Sequence, residues 1–377
     1  MRMYIEPLEK DVLDRYLAVK DLTQIAESHA VKLLYQKIEN YMRATHTNSV
    51  VTVYRQKPVV AVEDNYDKLL IDKDNISRSS TYTHYADNNN VLRTHTSAHI
   101  PKILEDLAKR DDWDDVLVLL PGLAYRRDVT DKTHLGVLHQ LDMWRVVKNG
   151  SQRPAIVKDD LLDVVRGIAS VAAPGWQLRI VDNPHPYTKE GIEVNAVKNG
   201  RDIEILECGL TSDQLLENSG LDPKQYSGWA LGMGLDRLVM TLKAIPDIRY
   251  LRSTNPDIAK QMVDLSPYVE VSHQPSIKRD MSYSVPKTYV EEDINEDIRN
   301  ALGDNMNMLE SVEILAETLV EQLSNKIRER LGCKPDQKNI LVRITLRHLE
   351  KTITNKQANS IYDDIYQIIN YGTGGYA

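Results

Sequence analysis

Apolar residues recur at helical spacing near the N-terminus. Asp11–Ala18 and His29–Arg43 both carry it, and in the second segment Val31, Leu34, Tyr35 and Ile38 share one face. The period then shortens. Val50–Tyr54 and Val59–Val62 are β-rich runs, with Gln56, Lys57 and Pro58 as the turn between them. His99–Arg110 returns to an amphipathic helix. Val116–Leu120, Gly136–Val147, Trp176–Val181, Ile192–Ala196 and Ile203–Leu206 predict strands. Asn199 and Gly200, between the last two, predict a tight hairpin turn. Asp159–Val171 and Leu231–Ala244 predict helices.

A polar, proline-bearing stretch at Tyr268–Ser276 predicts a boundary. Strand Ile277–Val285, helix Glu291–Leu302, strands Leu309–Glu317 and Asn339–Leu349, and helix Lys356–Ile369 follow. This βαββα order needs one more strand to be ferredoxin-like, and Tyr371–Ala377 is the expected source. The strands do not alternate with helices as in a doubly wound sheet, so the expected fold class is α+β. The arrangement is an antiparallel sheet flanked by helices, then a small ferredoxin-like sandwich. The expected organisation is a helical segment over 1–48, a main domain over 49–270 and the small domain over 275–377. No GxGxxG, no GxxxxGK[ST] and no internal repeat occurs.

Composition narrows the classes. A chain of 377 residues, 42% of them hydrophobic, can bury a sizeable core. No apolar run approaches the ~18 residues of a membrane span, and Met1–Pro7 lacks the apolar run of a secretory signal. Cys208 and Cys333 have neither framework nor metal-ligand spacing, which points to a reducing, cytoplasmic setting without structural zinc. A net charge of −8 argues against a protein that coats nucleic acid, DNA included, yet permits a local basic track. Phenylalanine is absent, while tyrosine occurs 19 times.

Two stretches carry candidate chemistry. In the first, Tyr125, Arg126, Arg127 and Asp128 precede Thr133-His134-Leu135 and His139-Gln140-Leu141-Asp142. An arginine fork suits a phosphate because it stays charged and donates bidentately, and a nearby carboxylate can steady it. A solvated surface cluster of Arg and Asp fits the same residues. In the second, glycines 228, 232 and 234 lead to Asp236-Arg237-Leu238. Glycines let backbone approach a ligand. Arg237 falls in the first turn of a helix, where a cation is unfavourable unless an anion sits there. A helix-packing glycine stretch with a solvated arginine is the bland alternative.

Taken together, the two stretches resemble motifs 2 and 3 of class II aminoacyl-tRNA synthetases, in the variant of phenylalanyl-tRNA synthetase. Asp64–Leu70, Leu92–Ser97 and Ile245–Arg249 match further, and Ile277–Tyr283 with Arg343–Thr354 looks like that family's ferredoxin-fold anticodon-binding domain. The layout is similar to the single-chain organellar type, and closest to bacterial phenylalanyl-tRNA synthetase-related ligases of unassigned substrate. The resemblance implies ATP and Mg2+ as cofactors, with an amino acid and tRNA as partners. Arg126 and Arg237 would be the catalytic cations, on the α- and γ-phosphates of ATP. Asp128 and His134 would complete the ATP site, and Glu204 would help hold magnesium. His95, Ser97, Gln140 and Asp142 would receive the amino acid, with His185, Tyr187, Glu207, Ala230 and Gly232 around its side chain. Oligomeric state, monomer or homodimer, stays open.

The match departs from the family in places. Asp142 stands where the family usually has Glu. The family's Phe-Pro-Phe loop is here His185-Pro186-Tyr187, and Glu207 occupies a position generally held by a small residue. Leu231 replaces another family Phe. These changes put polar groups into an apolar pocket, and a side chain more polar than phenylalanine is the expectation. The alternative has His185 and Glu207 paired outside the pocket. From Pro275 on, the chain carries 13 basic and 16 acidic residues. Within it Arg343, Arg347 and Lys351 form a possible phosphate-facing stripe, the two arginines expected on one strand face. An acceptor other than tRNA, or a silent regulatory paralogue, are the competing functions.

Overall fold

The computed structural model describes residues 5–127, 130–150, 154–271 and 274–374, and divides into two compact units. The first comprises Met1–Arg126, Val137–Ile245 and Lys260–Tyr268. Its elements are α1 (Lys10–Leu17), α2 (Ala30–Thr45), β1 (Val50–Val53), β2 (Val59–Ala61), α3 (Val62–Asn65), β3 (Asn90–Leu92) and α4 (Ile100–Ala108). Then come β4 (Asp115–Tyr125), β5 (Val137–Lys148), α5 (Lys158–Ala172), β6 (Gln177–Asp182), β7 (Thr188–Lys198) and β8 (Arg201–Thr211). The set closes with α6 (Asp213–Asn218), β9 (Tyr226–Gly234) and α7 (Leu235–Lys243).

Seven strands form one sheet in the order β1-β4-β5-β9-β8-β7-β6. Only β1 and β4 run parallel; every other pair is antiparallel. Helices α2, α5 and α7 pack together and against β5 and β8. Ile100 and Leu104 of α4 and Leu215 and Leu216 of α6 form a cluster with Trp144, Val146 and Ala230. The β7–β8 hairpin turns at Asn199 (φ 53°) and Gly200 (φ 75°), as the dipeptide predicts.

β4 is longer than the pattern predicts and runs through Pro121. Proline normally marks the end of a central strand. Here β1 pairs with β4 only as far as Val53 opposite Leu119. At Pro121 the strand pairs with β5 through Leu141, and the ladder with the β1 segment stops after the Tyr54 N–H donates to the Leu119 carbonyl, where proline has no N–H to return.

The helix expected over Leu231–Ala244 is a correction. Residues 226–234 are strand β9, and the helix starts at Leu235. β9 has β5 on one side and β8 on the other. A Cβ at Gly228 would sit 2.4 Å from the Arg145 carbonyl oxygen, and one at Gly232 would sit 2.5 Å from Asp142 Oδ1. The glycines allow this close packing, and pairing on both edges outweighs a weak helical period.

The second unit comprises Arg127–Gly136, Pro246–Ala259 and Val269–Ala377. It holds α8 (Pro256–Ala259), β10 (Ile277–Pro286), α9 (Glu291–Leu302), β11 (Leu309–Leu319), α10 (Asn325–Leu331), β12 (Gln337–Leu346) and α11 (Asn355–Ile369). The sheet order is β10-β12-β11, all antiparallel. Tyr283, Val342 and Ile344 of the sheet pack with Ile294 and Ile298 of α9 and Ile365 of α11. This is the ferredoxin-like order without its fourth strand. Tyr371–Gly374 form no strand. The Tyr371 N–H donates to the Ser284 carbonyl (2.8 Å), but Thr373 and Gly374 then donate to Gly332 and Leu331 at the end of α10. The remaining residues, 375–377, lie outside those described. Two loops belong to this unit. The Lys132 N–H donates to the Glu310 carbonyl, the Ile248 N–H donates to the Lys132 carbonyl, and Arg249 donates to the carbonyls of Asn307 and Leu309.

Candidate active site

The sheet register brings the candidate residues together. Asp142 on β5 pairs with Gly232 on β9, Gly232 pairs with Glu207 on β8, and Glu207 pairs with Glu193 on β7. Residues opposite one another project to the same face. Asp142, Glu207 and Glu193 therefore share one face, with Gly232 leaving a gap between the first two. Gln140 and Trp144 lie on that face too, two positions either side of Asp142. A bulge adds a further member. Glu204 pairs with Asn195, whereas Leu206 pairs with Val194, so the extra residue is Ile205. Without the bulge, Glu204 and Glu207 would face opposite ways. With it, both carboxylates stand over the cleft.

At one end of the gap is an acceptor set. Asp142 is buried and accepts from Thr96 Oγ1 (2.9 Å) and Ser97 Oγ (2.5 Å). The Thr96 N–H donates to Gln140 Oε1 (3.1 Å), which fixes the amide. Burial pushes the Asp142 carboxyl up; the two hydroxyls and Arg93 pull it down. His95 Nε2 lies 3.1 Å from the Asn65 carbonyl. Desolvation, then Arg126, lowers His95 to about 3, so its ring is neutral. Its Nδ1 is buried without a hydrogen-bond partner.

At the other end, Tyr187 stacks on His185 (centroids 5.8 Å, 13°) and leans on Trp144 (5.8 Å, 32°). Asn183 Nδ2 donates to Glu207 Oε1 (2.9 Å), and His185 Nε2 stands 3.5 Å from Glu207 Oε2. The two do not make a full ion pair. Burial lowers the His185 ring, and burial together with Glu204 raises the Glu207 carboxyl to about 7. Each environment favours the neutral form. Nor does the pair lie apart from the other candidates: Glu207 feels Arg126 and Asp142, and the same two act on Tyr187.

Arg126 follows β4 and donates through Nε to the Thr94 carbonyl (3.2 Å), with the rest of its guanidinium exposed. Arg237 lies in the first turn of α7, as expected, and its Nη1 is 3.3 Å from Glu204 Oε2. Both arginines thus border the carboxylate group, Arg126 through Glu207 and Arg237 through Glu204. Ala230 and Gly232 line the floor on β9. His134 belongs to the second unit, beside Asp131 (3.1 Å). Asp128 lies outside the described residues. In the second unit Arg343 is held bidentately by Asp280 (2.8 and 2.9 Å), and Arg347, just past β12, is paired with Glu310 (2.7 Å).

Pattern reasoning missed Thr96, Asn183 and Glu193, and also the His139–Asp236 pair. His139 is fully buried; its Nδ1 meets Asp236 Oδ1 at 2.7 Å and its Nε2 accepts from the Leu22 N–H at 2.9 Å. That ties the segment before α2 to the first turn of α7, next to Arg237. A histidine and an acid flanking the two motifs are visible in the sequence, but only the register pairs them.

Residues 14–262 match the family model described as tRNA synthetases class II core domain (F). Similar curated proteins include the chloroplastic/mitochondrial phenylalanine–tRNA ligase of Arabidopsis thaliana, 29% identical over 90% of this chain and 76% of that one. The probable mitochondrial phenylalanine–tRNA ligase of Drosophila melanogaster is 28% identical over 89% and 82%. The mitochondrial phenylalanine–tRNA ligase of Saccharomyces cerevisiae is 26% identical over 95% and 90%.

Proposed function

The chain belongs to the class II tRNA synthetase core family, and on that premise we propose that it activates an amino acid with ATP and passes the acyl group to tRNA. The observation that carries this reading is the shared sheet face. It brings Asp142, Gln140, Thr96 and Ser97 together beside Arg126 and Arg237, which supports an ammonium seat next to the nucleotide.

The amino-acid carboxylate would attack the α-phosphate of ATP. An acyl-adenylate forms and pyrophosphate leaves. A tRNA ribose hydroxyl then takes the acyl group and AMP is released. Arg126 would hold the α-phosphate and Arg237 the γ-phosphate, so positive charge meets the charge that develops in line. The reaction needs no covalent protein nucleophile. Positioning and electrostatics suffice. No group of three or more His, Cys, Asp or Glu among the described residues could cage a metal. Mg2+ takes one or two carboxylates and fills its shell with phosphate oxygens and water. Glu204 would contribute one such carboxylate, and the bound ion would neutralise charge on the leaving pyrophosphate.

A second reading, an adenylate-forming ligase with a non-tRNA acceptor, is favoured by the ion-paired Arg343 and Arg347, which leave the expected phosphate-facing stripe largely neutralised. One experiment separates these. ATP–pyrophosphate exchange across an amino-acid panel is followed by labelling of total tRNA, with Arg126→Ala as control. Exchange plus tRNA labelling supports the first reading. Exchange without labelling supports the second. Absence of exchange with every amino acid ends both. Arg126→Ala is expected to cost ~10²-fold or more in exchange rate.

A further inference from the structure

We propose that Glu207, with Asn183 and His185, makes the pocket select an amino acid whose side chain ends in a hydrogen-bond donor, a hydroxyl or an amine, over phenylalanine. This rests on the ligase reading above and deepens it. Glu207 and Asp142 sit on the same rung two strands apart, separated by Gly232. Two strand spacings are ~10 Å. An aromatic amino acid with its ammonium at Asp142 points its side chain along this gap toward Glu207. The wall there is planar and aromatic, Trp144, Tyr187 and His185 in succession.

The far end is chemically incomplete. Asn183 occupies one Glu207 oxygen. The other faces His185 Nε2 at 3.5 Å, too long for a good hydrogen bond, and that nitrogen is buried without a hydrogen-bond partner. A hydroxyl entering between them could donate to the carboxylate and engage the imidazole. An ammonium would also meet the excess of negative charge, since Glu193, Glu204 and Asp142 act on Glu207 against Arg126. Phenylalanine offers neither. It would displace water from Glu207 and His185 and return no partner. A site built to bond a hydroxyl rejects the analogue lacking it by ~10⁴–10⁵-fold. Glu207 keeps partial solvent access, so ~10²-fold is the expectation here.

The test is ATP–pyrophosphate exchange by the full chain with phenylalanine, tyrosine, 3-hydroxyphenylalanine and 4-aminophenylalanine, for the wild type, Glu207→Ala and Glu207→Gln. A donor-bearing analogue should exceed phenylalanine by ~10²-fold in kcat/KM, and Glu207→Ala should shrink that ratio at least ~10-fold. Glu207→Gln retains the shape and guards against a folding failure in the alanine variant. It should shrink the ratio less. Phenylalanine, or any side chain without a donor, as the best wild-type substrate overturns the proposal and leaves the ligase reading standing. So does a ratio unchanged in both variants. Silence of the wild type toward every amino acid overturns the ligase reading and this proposal with it.

Discussion

At the scale of single residues, the buried Asp142 and the half-buried Glu207 have different duties. Asp142 is satisfied by two hydroxyls and keeps acceptor capacity for an ammonium. Hydrogen bonds to charged groups contribute about 1.5–3 kcal/mol, so Asp142→Ala should raise the KM for the amino acid by ~10–100-fold. The KM for ATP should change little. A larger effect on ATP than on the amino acid would contradict the seat assigned here. Glu207 predicts a pH effect. Its folded-state carboxyl, at about 7 against an ordinary 4.5, holds its proton more tightly than the unfolded chain does. Its contribution to stability is therefore complete below pH 4.5 and is lost as pH rises through 7. Solvent screening keeps the effect small. Glu207→Gln removes the titration, so the Tm of the variant relative to wild type should rise between pH 5 and 8. Thermal melts across that range check it, and a flat difference rejects it.

At the scale of elements, strand register rather than side-chain identity sets the cleft. Two of the three glycines of β9 have opposite surroundings. A Cβ at Gly232 would press on Asp142 Oδ1, while one at Gly234 meets nothing within 4 Å. Gly232→Ala should displace the carboxylate and raise the amino-acid KM ~10-fold or more, whereas Gly234→Ala should stay within about twofold. Equal effects from the pair would show that the gap at Gly232 is not part of the site. α2 and α9 are legible from their period because each buries one face continuously. β9 was not legible. Its apolar residues fit a helical spacing equally well, and only partners on both edges decide the matter. The bulge at Ile205 leaves no mark in the sequence at all.

At the scale of the whole molecule, the chain crosses between its two units more than once. Arg127–Gly136 and Pro246–Ala259 interrupt the first unit and belong to the second. Their ordering rests on partners far along the chain, such as Glu310 for Lys132 and Leu309 for Arg249. A chain ending at Tyr268 loses those partners. It should be cleaved by trypsin at Arg127, Lys132, Arg249 and Arg252 faster than the full chain is. Equal protection in both would mean that these segments order themselves locally.

The sequence by itself determined most of the helices and strands, though not β9, together with the fold class, the Asn199–Gly200 turn and the residue types of the site. Those follow from local period, turn chemistry and charge, which act over a few residues. The tertiary structure alone decided that Asp142, Gly232, Glu207 and Glu193 share a rung, that Glu204 joins them, and that His139 meets Asp236. Each depends on pairing between strands or on packing between elements distant in the chain. A shift of one residue in register would turn the site to the opposite face of the sheet.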